Sequence, residues 1–345
     1  MKKVVDYIDN FEGKIILHTC SIYNTFLAVY ILMQSKRQDD TYVIMSSPYK
    51  SDVEAFNEIS GQLSLYNIRS IVIDKKNPIY RAIGISDYRN KRVMKKVYQD
   101  LEINNGNFLL VNCSWTNRKV GYPASLYLKK ARESIFLQEG KCQYVTPNDK
   151  WWYLALKKLY GNQTTFWKMD KLKKIYVQDP SKFPKYLQNI MEPIAINFDN
   201  KKLSNIMLDI FLNMSDQKDI ENLRSSDGII FSQPISEDGY VTEDEKKRIY
   251  EEIVSYYKSY GRVVFKRHPR DLSEYSFEDV SIIKSRFPSE ILGIMGIKFD
   301  FAVGLCTGAI DSVIAKSRVN LNENFLSELT FELIKIDDGV NPCEK

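Results

Sequence analysis

Two α/β domains with largely parallel sheets are the fold class this sequence predicts, on three observations. The chain has 345 residues, more than one ordinary core accommodates and enough for two domains of typical size. Short β-branched apolar runs alternate with helical patterns along its length, which is the signal of α/β layering. The alternation also starts afresh after a polar segment around residues 180–200. The halves therefore read as two Rossmann-like domains, 1–190 and 191–345, facing each other across a cleft.

In the first half the predicted strands are Lys14–His18, Tyr42–Met45, Ser70–Ile73, Asn107–Val111 and Ser134–Leu137, with helical patterns such as Ile22–Gln34 and Lys91–Leu101 between them. Asn148–Tyr160 reads as a further helix, with Pro147 as its start signal. In the second half Gly228–Phe231 is a strand. Thr242 followed three residues later by Glu245 makes a capping box, which opens a helix running to about Tyr260 and stopping at Gly261. Strands follow at Arg262–Lys266, Val280–Ile283 and Phe299–Gly304, with helices starting at Pro288 and near Gly308.

Composition excludes several function classes. Apolar residues make up 44% and charged residues 27%, a globular balance. No uninterrupted apolar run approaches the ~20 residues of a membrane span; the nearest, Ile15–Met33, is broken by His18, Ser21, Asn24 and Thr25. The charged start Met-Lys-Lys-Val-Val-Asp does not read as a signal peptide, so a cytoplasmic location is expected. Five scattered cysteines without a CxxC pair point to a reducing compartment and against a structural zinc. A net charge of +5 is too mild to mark a nucleic-acid partner. Residues 150–185 hold nine lysines, two aspartates and eight aromatics, including Trp151, Trp152 and Trp167. Such interleaving suits peripheral contact with the anionic inner face of a membrane. The competing and favoured reading is an amphipathic helix with a buried aromatic face.

Two histidines are candidates. His18 closes the first strand before Thr19-Cys20-Ser21, where a structural role is at least as well supported as a ligand contact. His268 follows directly on a strand, in Val263-Val264-Phe265-Lys266-Arg267-His268-Pro269-Arg270, on a loop at the carboxyl edge of the second sheet. Pro269 stiffens that loop and holds His268 extended. Among three cations the imidazole prefers to be neutral, and a bound phosphate would turn it into a charge-assisted donor. Downstream, Glu290 stands near a helix start, able to accept ribose hydroxyls. Thr307 and Gly308 lie between a strand and a helix, where exposed amides can hold phosphate. For a general base two loops compete: Gln138-Glu139-Gly140, and Glu237-Asp238-Gly239, which reads as a solvated turn. A base from the domain opposite His268 favours Glu139.

The order Phe231-Ser232-Gln233-Pro234, Lys266-Arg267-His268-Pro269-Arg270, Phe287-Pro288-Ser289-Glu290 and Gly304-Leu305-Cys306-Thr307-Gly308 resembles the bacterial sialyltransferases of glycosyltransferase family 52. That family includes lipooligosaccharide and streptococcal capsule enzymes. The bacterial polysialyltransferases are more distantly similar. The likeness is best over residues 228–315 and thin over the first domain. It implies a GT-B fold, CMP-sialic acid as donor, inversion at the anomeric centre, and neither metal nor other cofactor. The pattern pairs an acidic-acidic-Gly motif in the N-terminal domain with a His-Pro motif in the C-terminal one. On that resemblance Glu139 would be the base and His268 would donate to the CMP phosphate. Glu290 would hold ribose or cytosine and Thr307 and Gly308 the phosphate, with Gln233, Lys266, Pro269 and Arg270 completing the nucleotide wall. The chain departs from the pattern at Gln138, where an acid is expected, and at Cys306, where a hydroxyl is.

The function expected is a sialyltransferase acting on a galactose-terminated surface glycan, lipooligosaccharide or capsule, at the cytoplasmic membrane. Its partners would be a sugar nucleotide and a glycan or glycolipid acceptor, and the sequence leaves homodimerisation open. Two alternatives stay open. One is a family-52 hexosyltransferase or polyol-phosphate transferase with another nucleotide donor; the other is an inactive sugar-nucleotide-binding partner in capsule assembly.

Overall fold

A computed structural model describes residues 1–47, 49–74, 85–103, 106–113, 130–138, 171–183, 185–212 and 215–321, with residues 85–90 and 186 described by backbone alone. The chain divides into two compact units, Met1–Leu203 and Ser204–Lys345.

In the first unit the strands are β1 Lys14–Thr19, β2 Thr41–Ser47, β3 Arg69–Asp74, β4 Phe108–Asn112, β5 Glu133–Leu137, β6 Leu172–Val177 and β7 Met191–Pro193. They pair in the order β3-β2-β1-β4-β5-β6-β7, every pair parallel. β2 and β4 are buried at every position and β1 at all but Lys14. Continuous apolar runs of this kind belong to central parallel strands covered on both faces. Helices α1 Lys2–Asp9, α2 Ile22–Leu32, α3 Lys50–Leu65 and α4 Ile85–Asp100 connect or flank them.

The second unit repeats the design with β8 Gly228–Phe231, β9 Val263–Lys266, β10 Ser281–Ile283, β11 Lys298–Leu305 and β12 Ile314–Leu321. Their order is β10-β9-β8-β11-β12, again all parallel. Helix α5 Lys201–Leu212 leads in and α6 Gln217–Arg224 follows; then come α7 Glu243–Tyr257, α8 Glu290–Ile294 and the single turn α9 Ala309–Ser312. Each sheet thus opens on the strand order of a Rossmann unit, and two such α/β domains in one chain are the GT-B type of construction. In each, the order reverses between the first and fourth strands, and the crevice above their carboxyl ends is where ligands bind.

Local chemistry explains the boundaries. Thr242 Oγ1 accepts the Glu245 amide and Glu245 Oε2 accepts the Thr242 amide, so both halves of the predicted capping box are present. A 3-10 turn, Lys258–Tyr260, extends α7 until Gly261, whose φ of 149° suits glycine. Gly304 is required for a different reason: a Cβ there would overlap the Thr307 methyl and crowd Ile310. Gly304→Val should therefore cost about 1–3 kcal/mol by overpacking and displace Thr307. Thermal unfolding checks this, and an unchanged Tm would contradict it.

Two expectations are corrected. The boundary does not fall at 190/191, because β7 pairs with β6 and carries the first unit on to Leu203. Within the lysine-rich stretch, residues 172–177 form β6 rather than a helix. There Ile175, Tyr176 and Val177 are buried while Lys173 stays exposed. The rest of that stretch up to residue 170 lies outside the described residues, as does the helix expected at Asn148–Tyr160. β12 is an additional strand; as an edge strand its outward residues, such as Lys316 and Arg318, hide it in a polar run.

Candidate functional site

The second sheet gathers most of the sequence candidates at its carboxyl edge. β8 ends into Ser232-Gln233-Pro234, β9 into Arg267-His268-Pro269-Arg270, and β11 into Cys306-Thr307-Gly308. β8 and β11 are adjacent strands, so the first and third of these loops flank the point where the strand order reverses.

His268 heads a β-turn. The Asp271 amide donates to the His268 carbonyl at 2.9 Å, with Pro269 second in the turn, where its fixed φ fits. The Arg270 amide donates to His268 Nδ1 at 3.1 Å. A ring nitrogen that accepts carries no proton, so the neutral imidazole holds its hydrogen on Nε2. Burial, and then the Arg270 charge, push the His268 pKa down to about 3. In the free protein His268 is therefore a neutral hydrogen-bond donor rather than an imidazolium. A bound anion would draw its pKa upward.

The neighbouring cations are already engaged. Arg270 makes a two-pronged ion pair with Asp238, at 2.8 and 3.0 Å. Arg267 donates to the Ser273 carbonyl at 3.0 Å. Lys266 is only 4% exposed. Its Nζ donates to the Ser285 carbonyl at 3.1 Å and lies 4.2 Å from the centre of the Phe287 ring. Burial lowers the Lys266 pKa to about 8, against the pull of Asp219 and Glu290. Lys266 thus supports the floor of the site. The Gln233 amide donates to the Tyr250 hydroxyl at 2.6 Å, which ties the β8 loop to α7.

The loop Glu237-Asp238-Gly239 is the exposed turn expected, but its acids are engaged. Asp238 holds Arg270, and Glu237 accepts both Lys246 Nζ and the Leu272 amide at 2.7 Å. Burial opposes ionisation of Glu237, but those two donors outweigh it and lower its pKa. Ser232, Lys246 and Asp271 join the same network, and sequence reasoning gave none of them a role. Lys246 carried a signal: with Ile249, Tyr250, Ile253 and Tyr257 it shares the apolar stripe of α7.

Glu290, at the start of α8, is buried, with Ser289 Oγ 3.4 Å from Oε2. Burial raises its pKa to about 7, with its own backbone amide the leading opposing influence. A carboxyl whose folded pKa lies above its unfolded value of about 4.3 binds its proton more tightly when folded. Its stabilisation is therefore full below the unfolded pKa and lost as pH rises through about 7. Glu290→Gln should flatten the decline in stability over that window. Identical slopes in urea titrations of the two proteins would contradict this.

Thr307 is buried, its amide donating to Asn320 Oδ1 at 3.1 Å and its hydroxyl accepting the Ala309 amide at 3.2 Å. Cys306 before it takes a left-handed φ of 49°, an unusual conformation for a non-glycine residue. His18 is fully buried in the first sheet, 2.8 Å from Ser46 Oγ and 3.4 Å from Asn112 Oδ1, which is the structural role. Glu139 lies outside the described residues. Among the described residues no cluster of His, Cys, Asp and Glu could hold a metal ion. Likewise no described helix is long and apolar enough to cross a membrane.

The sequence model of glycosyltransferase family 52 matches residues 148–321, half of the chain and the whole of the second sheet. An uncharacterized protein of Haemophilus influenzae is 30% identical over 254 residues, covering 70% of this chain and 79% of that protein. This chain belongs to glycosyltransferase family 52. Solved structures are similar at fold level only. A putative UDP-N-acetylglucosamine 2-epimerase from Listeria monocytogenes has 10% identity and a TM-score of 0.47, with 88% of this chain and 77% of that one covered. The Staphylococcus aureus MnaA–UDP structure has 12% identity and a TM-score of 0.47, over 88% and 76%. MurG of Acinetobacter baumannii has 11% identity and a TM-score of 0.34, over 86% and 74%. Membership of the family implies a sugar nucleotide and an acceptor as ligands of this family-52 chain.

Proposed function

We propose that this glycosyltransferase is an inverting sialyltransferase that takes sialic acid from CMP-sialic acid to a galactose-terminated surface glycan. The observation that carries the proposal is the His268 turn, which presents a neutral Nε2–H donor at the carboxyl edge of a parallel sheet. CMP is a good leaving group, so the protein's task is to stabilise departing phosphate charge and to orient the acceptor hydroxyl. Nε2–H of His268 would meet a phosphate oxygen, the Thr307 hydroxyl and the Gly308 amide would add donors, and Glu290 would accept from ribose or cytosine. Arg270 would move between Asp238 and the phosphate.

For the base, Asp238 stands as a second candidate beside Glu139. Glu237-Asp238-Gly239 carries two acids before a glycine, though in the C-terminal unit and not in the N-terminal one where the family pattern has its acidic motif. Arg270 ties Asp238 to the His268 turn. When Arg270 turns to the phosphate, Asp238 becomes available to take the proton from the acceptor hydroxyl as the new glycosidic bond forms. A good base must lie within reach of that proton.

CMP release from CMP-sialic acid, with lactose as acceptor and EDTA present, tests the function. Release that survives the chelator and depends on lactose is expected. Neither CMP binding nor release would overturn it, and binding without transfer to any acceptor would favour the inactive-partner reading. Comparing Asp238→Asn with Glu139→Gln tests the base. Asp238→Asn should lower kcat by about 10²-fold or more, and a loss seen only in Glu139→Gln would return the role to Glu139.

A further inference from the structure

Behind the His268 turn lies a buried polar network that none of the roles above uses. Ser232 Oγ, at the end of β8, accepts the His268 amide at 2.9 Å and donates to Asp271 Oδ2. Asp271 Oδ2 also accepts the Tyr275 hydroxyl at 3.0 Å, and Oδ1 accepts the Ser273 amide at 3.0 Å and Lys246 Nζ at 2.7 Å. The Lys246 and Asp271 side chains have no exposure at all. Lys246 reaches them from α7, and its second acceptor is Glu237 at 2.7 Å.

A buried ion pair is a weak device for stability, since well-packed apolar side chains often do as well. What a satisfied network supplies is a fixed geometry, and here every branch of it ends on the His268–Asp271 turn. The network holds the turn at both ends: at the His268 amide through Ser232, and at Asp271 through its own carboxylate. Between those two fixed ends the Arg270 amide meets Nδ1 at 3.1 Å.

We propose that Asp271, anchored by Lys246 and Glu237, is a positioning residue for His268, holding the imidazole through Ser232 and the turn as its Nε2–H tautomer. What that Nε2–H meets, a donor phosphate, rests on the functional reading above; the tautomer and its cause do not. Charged groups around the ring are Arg270, Asp238, Lys266 and Glu237, so the network acts by orientation alongside their fields.

The chain has two histidines, His18 and His268, so an imidazole ¹⁵N spectrum of the whole protein carries two rings, assigned with His268→Ala. In the unmodified protein His268 should be the Nε2–H tautomer and remain neutral well below the ordinary pKa of about 6.5. In Ser232→Ala and in Asp271→Asn the tautomers should mix and the titration should move back toward that ordinary value. Turnover of CMP-sialic acid should fall about tenfold or more in kcat, with KM held within about threefold, as expected when orientation rather than binding is lost. If Asp271→Asn fails to fold, the unmodified protein and Ser232→Ala decide. An Nδ1–H tautomer in the unmodified protein, or folded variants whose His268 tautomer and titration match it, would overturn the proposal. Adding CMP separates the two claims: the His268 Nε2 signal should shift. If it does not while the tautomer results hold, the nucleotide reading fails and the positioning role stands.

Discussion

Lys246→Met should destabilise the second domain by about 3–5 kcal/mol, the range for removing one partner of a buried ion pair. The ammonium is fully buried between Asp271, also fully buried, and Glu237. Methionine fills much of the volume but leaves a carboxylate in the interior facing another carboxylate without a cation. The penalty is that of uncompensated charge rather than of a cavity. At roughly 2–4 °C per kcal/mol for a domain of 150–250 residues, the melting temperature should drop by about 10 °C. Urea unfolding gives the direct value, and a loss below about 1 kcal/mol would show that the site tolerates the bare carboxylates, contrary to the usual cost.

His268→Ala should lower kcat for the proposed sialyl transfer by about 10²–10⁴-fold, the usual range for a positioned acid–base or donor group, while leaving the fold intact. His268 lies on a turn outside the apolar core of the second sheet, so that core keeps its packing without it. His268→Gln makes the sharper comparison. If the histidine works as a neutral donor, as its lowered pKa indicates, a glutamine amide retains a donor and should recover part of the rate. A true proton donor would leave Gln as inactive as Ala. Steady-state kinetics at saturating CMP-sialic acid reads the difference, and activity in His268→Ala equal to that of the unmodified protein would remove His268 from the mechanism.

The parts of the fold that were legible in the sequence are those set by local chemistry. Gly228–Phe231 is a short apolar run before Ser232-Gln233-Pro234, and it is the strand found. The Thr242–Glu245 capping box and the stop at Gly261 are written in single side chains. The position of His268 at a strand end follows from β9 being a run of four buried residues. What stayed hidden depends on tertiary pairing. β6 and β7 lie in a lysine-rich and polar stretch whose inward residues, Ile175, Val177 and Met191, are interleaved with charge, and only their neighbours make them strands.

The same division applies to the site. His268 and Pro269 announce themselves by residue type, but Lys246 sits in Glu243-Asp244-Glu245-Lys246-Lys247-Arg248, a run that reads as solvated charge. Its phase against Ile249, Tyr250 and Ile253 was the available signal. The role of Glu237-Asp238-Gly239 could not be read at all from spacing, because the ion pair from Asp238 to Arg270 spans 32 positions and exists only once β8 and β9 lie side by side.

In the proposed function the carboxyl edge of the second sheet binds the donor nucleotide through His268. A crystal structure of the protein with CMP bound tests it most directly. The phosphate is expected in the crevice above β8 and β11, with an oxygen about 2.7–3.2 Å from His268 Nε2 and Nδ1 still accepting the Arg270 amide. CMP seated above the first sheet, or above the second with Nε2 turned away from its phosphate, would contradict it.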